Sequence, residues 1–109
     1  MIDKDFENSC EEEQSVSFIT NQILRYIEGL GETKIPKSHR EHLCDLIVDD
    51  IDGLIGKYLS AQAASNSSFK KFIREALKSI SDKLFSLIIN QNFVDGRLLD
   101  AYDDINNIL

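Results

Sequence analysis

The chain has 109 residues, of which 42% are hydrophobic and 28% are charged, with 5 glycines and 1 proline. This length and composition predict one globular domain, residues 1–109, and exclude a disordered or fibrous chain. The 19 acidic residues outnumber the 12 basic ones and give a net charge of −7. That charge argues against nucleic acids and anionic membranes as partners.

The N-terminal segment and the two cysteines are typical of a cytoplasmic protein. Residues 1–8 are polar and acidic, whereas a signal peptide needs a basic start and a longer apolar stretch, so we expect a flexible acidic tail here. Cys10 and Cys44 are too few for a disulfide scaffold, and we expect reduced thiols. No apolar run exceeds three residues, far short of the roughly 20 that cross a bilayer.

The first predicted helix begins at Ser9, because Ser9 and Glu12 have the spacing of a capping box. It ends at Gly29 and Gly31, which supply a C-terminal stop. Its apolar residues recur every three or four positions and form one stripe. They are Val16, Ile19, Ile23, Ile27 and Leu30.

The second predicted helix begins at Ser38, where Glu41 repeats the capping spacing. Its broad apolar stripe is typical of a central helix. The stripe consists of Leu43, Ile47, Ile51, Leu54, Ile55 and Tyr58. Gly53 and Gly56 lie inside this helix, so either the helix bends there or a neighbour packs closely. Residues 60–68 are small and uncharged and predict an exposed connection.

The third predicted helix spans residues 69–90, with Ser67 or Ser68 as its cap, and a shorter fourth helix begins near Asp95. No segment shows sustained strand alternation. The sequence therefore predicts an all-α fold, a small four-helix bundle with three long helices and a shorter C-terminal one.

One cluster near the start of the second helix deserves a test as a metal site. It contains His39, His42, Cys44 and Asp45. On a helix the two histidines and Asp45 share a face, but Cys44 projects away from them and no second cluster completes a site. We therefore expect two solvated histidines and no metal.

A second cluster, residues 49–53, contains aspartates and a glycine as calcium-binding loops do, but these residues do not stand at the loop positions that bind calcium. With Gly53 at the sixth position, the first and twelfth ligands would be Val48 and Leu59, which cannot coordinate calcium. The chain also lacks a glycine-flanked serine elbow, a phosphate-binding glycine pattern, and a spacing that presents a cysteine to a histidine. We expect no enzymatic activity and no cofactor.

The acidic residues of the second helix form a row on its polar side. They are Glu41, Asp45, Asp49 and Asp52, with no Lys or Arg between them. Such a row repels itself, and three interpretations remain open: a solvated face, an ion-paired face, or a site for a basic protein. The internal partner would be a basic row on the third helix. That row contains Lys70, Lys71, Arg74 and Lys78.

The last helix adds further candidates for a protein-binding surface. They are Asp100, Asp103, Asp104 and Tyr102, although Tyr102 also fits the apolar stripe of its helix. The basic row, together with Phe69 and Phe72, suggests a nucleic-acid site, but the net charge opposes it.

A small, acidic, helical chain without catalytic residues is expected to act by binding another protein. This profile is similar in type to bacterial immunity proteins and antitoxins, without any shared motif. That resemblance implies an inhibitor that covers the active-site or substrate-binding cleft of a basic, nuclease-type toxin, with carboxylates in place of phosphates. The alternative is a helical oligomerisation or adaptor module, and a homodimer is compatible with either.

Overall fold

The computed structural model describes residues 4–32, 34–90 and 95–109, with side chains from Glu13 onward. The described residues form four helices and no strand, which confirms the predicted all-α bundle. The helices are α1 (Lys4–Leu30), α2 (Lys37–Ala63), α3 (Ser67–Asn90) and α4 (Gly96–Ile108).

Two predicted helix starts are wrong. α1 begins at Lys4, so residues 4–8, assigned by sequence to a tail, are helical. The capping pair Ser9 and Glu12 therefore lies within the helix. α2 begins at Lys37 with Pro36 as its N-cap and no side-chain cap hydrogen bond, because the extended backbone of the proline already sets the chain direction. Ser38 is thus an ordinary first-turn residue.

The connection between α2 and α3 is shorter than predicted, since α2 continues to Ala63 and α3 begins at Ser67. The cap of α3 is Asn66, whose side-chain oxygen accepts a hydrogen bond from the amide of Phe69 at 3.1 Å. Ser65 adopts a positive φ of 59° in this tight turn. At α4, Asp95 is the N-cap, and its side chain accepts a hydrogen bond from the amide of Arg97 at 2.8 Å. The predicted start of this helix near Asp95 is confirmed.

The core consists of the apolar stripes of all four helices. Val16, Ile47, Ile73, Leu77 and Ile105 are among the side chains with no exposed surface. Ile19, Ile55 and Tyr102, which the sequence assigns to the stripes of their helices, are only half-buried and pack against the edge of the core.

α1 and α4 pack on opposite sides of α3. Phe72 and Ala76 border the same shallow depression as Thr20 of α1, whereas Phe85, on the other side of α3, stacks on Tyr102 of α4. Within the described residues α1 contacts α2 and α3, α4 contacts α2 and α3, and α1 does not contact α4. The bundle is therefore a trio of long helices with α4 added along the surface between α2 and α3.

The two glycines inside α2 do not mark a close helix contact. A Cβ atom at Gly53 or Gly56 would meet nothing within 4 Å, and both residues are exposed. Neither has a positive φ. Of the two sequence interpretations, close packing is therefore wrong.

The described part of the chain contains no helix with the length and apolar character needed to cross a membrane.

Candidate protein-binding surface

The acidic row lies on the solvent side of α2, as its spacing predicted. All four of its carboxylates are exposed. The three acidic residues of α4 are exposed as well. We call these seven residues the acidic surface: Glu41, Asp45, Asp49, Asp52, Asp100, Asp103 and Asp104.

One ion pair joins the two helices that carry this surface. Arg97 of α4 binds the carboxylate of Asp45 on α2 and also pairs with Asp95 at 2.8 Å. The side chains of Arg97 and Asp45 remain 43% and 58% exposed, so water screens the pair and its contribution to stability is small. The pair marks the level along α2 at which α4 begins.

The direction of α4 brings its acidic residues beside the row on α2. The helix starts with Arg97 at Asp45, near the beginning of α2. It ends at Leu109, whose carbonyl accepts a 2.8 Å hydrogen bond from Arg74, near the beginning of the antiparallel α3. α4 therefore runs alongside α2 in the same direction. Because both helices rise by the same distance per residue, Asp100 and Asp104 lie at nearly the same heights along the helix axes as Asp49 and Asp52.

The acidic row forms its ion pair with α4 and not with the basic row of α3, which the sequence had suggested as its internal partner. Among the described residues, no ion pair joins the row on α2 to a basic residue of α3, because α4 lies along the groove between these helices. Lys70 instead lies 5.6 Å from the ring centre of Tyr58. Arg97, which pairs with Asp45, was missed in the sequence because nothing local signals a partner 52 residues away.

Tyr102 lies at the other edge of α4, on the side of α3. Its ring is half-buried and stacks against Phe85, with centroids 6.0 Å apart and planes inclined by 24°. Phe85 is 50% exposed, so the pair presents an aromatic edge to solvent. The sequence predicted Tyr102, but not Phe85, as part of a binding surface, because their stacking depends on how α4 packs against α3.

Titration of two side chains is altered by their surroundings. Burial, with a smaller effect of the Asp95 carboxylate, raises the pKa of the Cys44 thiol from 9.0 to about 11. Cys44 is a free, fully buried cysteine, so its thiol is inert rather than nucleophilic. Partial burial and the neighbouring Asp49 raise the pKa of Asp50.

The other clusters do not form sites in the described residues. His39 and His42 are exposed, and no group of three ligating side chains is assembled in the part of the chain that the structure describes. The calcium-like residues 49–53 lie inside α2. Phe69 is buried and Phe72 is half-buried, so neither presents a free ring beside the basic row for stacking on a base.

The basic row of α3 borders an open groove of about 770 Å³ that ends at Leu109. The molecule thus has an acidic surface on α2 and α4 and a basic row on α3. Comparison with protein-family models, curated proteins and solved structures finds no match to this chain.

Proposed function

We propose that the protein is a non-enzymatic inhibitor that binds a basic protein through its acidic surface. The observation that carries this proposal is the exposure of seven carboxylates on two adjacent helices, with Arg97 as the one basic residue of α4. A surface of this sign attracts and orients a basic partner during encounter.

The partner that best fits is a nuclease-type toxin, and the protein is then an immunity protein or antitoxin of the bacterial cytoplasm. A nuclease cleft is basic because it binds phosphates, so a row of carboxylates on a rigid helix can occupy the same positions. The similarity in type to immunity proteins and antitoxins supports this class. Inhibition requires only that the cleft is covered, so the protein has to supply no catalytic group.

The test uses the double charge reversal Asp49→Lys with Asp52→Lys. Both side chains are exposed, and neither takes part in the Arg97 ion pairs, so the fold should persist. The matched control is Glu28→Lys with Glu32→Lys, which makes the same change in net charge at exposed positions near the C-terminal end of α1. The probe is the protein encoded by the adjoining reading frame, purified in a catalytically inactive form.

We expect the α2 variant to bind at least about a hundredfold more weakly and the α1 control to bind within about threefold of wild type. Equal effects of the two variants would mean that only net charge matters and would refute the acidic surface as the contact. An adjoining frame that encodes no basic nuclease would contradict the toxin assignment.

The alternative, a helical adaptor, is favoured by exposed apolar side chains. Phe18, Leu59, Phe85 and Ile89 are each 50–63% exposed. An adaptor that binds through such residues would tolerate the reversal at Asp49 and Asp52 and would lose its partner on Phe85→Ser.

A further inference from the structure

The outer face of α3 carries a second regular stripe, opposite the stripe that packs in the core. We call it the outer strip; its residues are Lys71, Glu75, Lys78, Asp82, Phe85 and Ile89. Their spacings of 4, 3, 4, 3 and 4 match the alternation by which one helix packs along another. All six side chains are exposed, and the strip is about 27 Å long. Phe85 stacks on Tyr102 at the edge of the strip, and the rest of this helix face is unpartnered in the described residues.

The four charged residues of the strip have no partner within the described chain. Lys71 and Glu75, and likewise Lys78 and Asp82, have the spacing of ion pairs along a helix. None of the four forms an ion pair or hydrogen bond there. A lysine placed before its acid is the weaker order for such pairs, which is consistent with their absence.

The charges of the outer strip balance each other. Lys71 and Lys78 supply two positive charges, and Glu75 and Asp82 supply two negative ones. Two copies of this acidic chain can therefore meet along the strip without a net repulsion between facing charges, whereas contact between two acidic surfaces would bring like charges together.

The order of charges along the strip is complementary to itself when the direction is reversed. We propose that the strip binds a second copy of the chain, in a two-fold symmetric, antiparallel pair of α3 helices. In this pairing Lys71 faces the partner's Asp82, and Glu75 faces the partner's Lys78. Two-fold symmetry repeats both pairs, so four ion pairs form and every charge of the strip is matched.

The same register accommodates the two exposed apolar residues of the strip. Phe85 lies opposite the partner's Ser68, and Ile89 lies opposite the partner's Ala64, in the turn between α2 and α3. This turn and its flanks are small and uncharged, so they leave room for large side chains. The apolar ends and the matched charges therefore favour one antiparallel register, whereas a parallel pair would place Lys71 against the partner's Lys71.

The proposal is tested by sedimentation velocity over about a hundredfold range of concentration, on the wild-type chain and three variants. Lys71→Glu places like charges at both ends of the strip and is expected to weaken the dimer at least tenfold. Lys71→Glu combined with Asp82→Lys restores opposite charges across the interface and is expected to restore dimerisation. Lys83→Glu is the control, because Lys83 is exposed on α3 but lies outside the strip.

The double variant separates the dimer from a simple effect on helix stability. It places like charges four apart within its own helix, at 71 and 75 and at 78 and 82, so α3 itself is less stable while the complementarity between copies returns. Circular dichroism melting confirms folding of each variant. A wild-type chain that stays monomeric, a double variant that is not rescued, or a Lys83→Glu variant as weak as Lys71→Glu would each overturn the proposal.

The dimer and the proposed partner-binding surface use different helices. The outer strip lies on α3, whereas the acidic surface lies on α2 and α4. Reversal of Asp49 and Asp52 should therefore leave the dimer unchanged, and Lys71→Glu should leave the affinity per chain for the basic probe unchanged. Failure of one proposal is thus distinguishable from failure of the other.

Discussion

Docking of α4 depends on a small number of buried side chains, and Leu98 is the one whose loss gives the clearest measurement. Leu98 is 1% exposed and lies in the first turn of α4, next to the Arg97 ion pair. Leu98→Ala removes three carbon atoms, which at roughly 0.8 kcal/mol each corresponds to about 2.4 kcal/mol of lost burial. Incomplete closure of the cavity raises the expected loss to about 3 kcal/mol.

That loss is a large part of the stability of a chain of this size, which we expect to be roughly 5–15 kcal/mol. It should lower the melting temperature by about 12–18 °C. The assay is urea unfolding followed by circular dichroism, with Asn107→Ala as control. Asn107 is exposed on the same helix, and alanine there should gain up to about 0.7 kcal/mol. A loss below about 1 kcal/mol for Leu98→Ala would refute the docking of α4 described above.

Two further predictions concern the stability of variants in α2. Gly53→Ala and Gly56→Ala should each raise the free energy of unfolding by about 0.5–1 kcal/mol, because alanine favours the helix and the added Cβ meets no atom within 4 Å. A lower free energy of unfolding in urea titrations would contradict the open surroundings of these glycines. The raised pKa of Cys44 means that the folded chain keeps this proton between pH 9.0 and about 11, so stability should be unaffected below pH 9 and fall by roughly 2–3 kcal/mol as the pH approaches 11. Cys44→Ala should lose less over that interval; an equal loss in the variant would assign the effect to other groups.

The parts of the fold that follow from periodicity were predictable from the sequence. Ile23 and Ile27 in α1, and Ile47 and Ile51 in α2, are buried, because side chains that recur at the helical period lie on one face and leave water together when that face packs. Helix ends were less predictable. The capping patterns at Ser9 and Ser38 each involve only two residues and did not give the correct helix starts. α1 begins before Ser9, because residues 4–8 are also helical. α2 begins before Ser38, directly after Pro36, whose backbone is fixed by its ring.

The candidate surface was predictable only within each helix. The spacing from Glu41 to Asp52 defines a face of α2 without reference to any neighbour, and that face is exposed. The position of α4 relative to it depends on contacts between distant segments, such as the burial of Leu98 and the pairing of Arg97 with Asp45, and no local pattern encodes such contacts. The spacing of Phe85 places it outside the core stripe of α3, but its stacking on Tyr102 depends in the same way on the docking of α4.

The absence of contact between α1 and α4 in the described residues has a consequence for the order of folding. α1, α2 and α3 contact one another pairwise, so their common core can form before α4 docks. α4 is then the helix whose local opening is expected to need the least free energy, because it is the shortest of the four. Each opening would separate Arg97 from Asp45 and expose the groove between the acidic row of α2 and the basic row of α3. When α4 is docked, it lies between these two rows and keeps their opposite charges from pairing within one molecule.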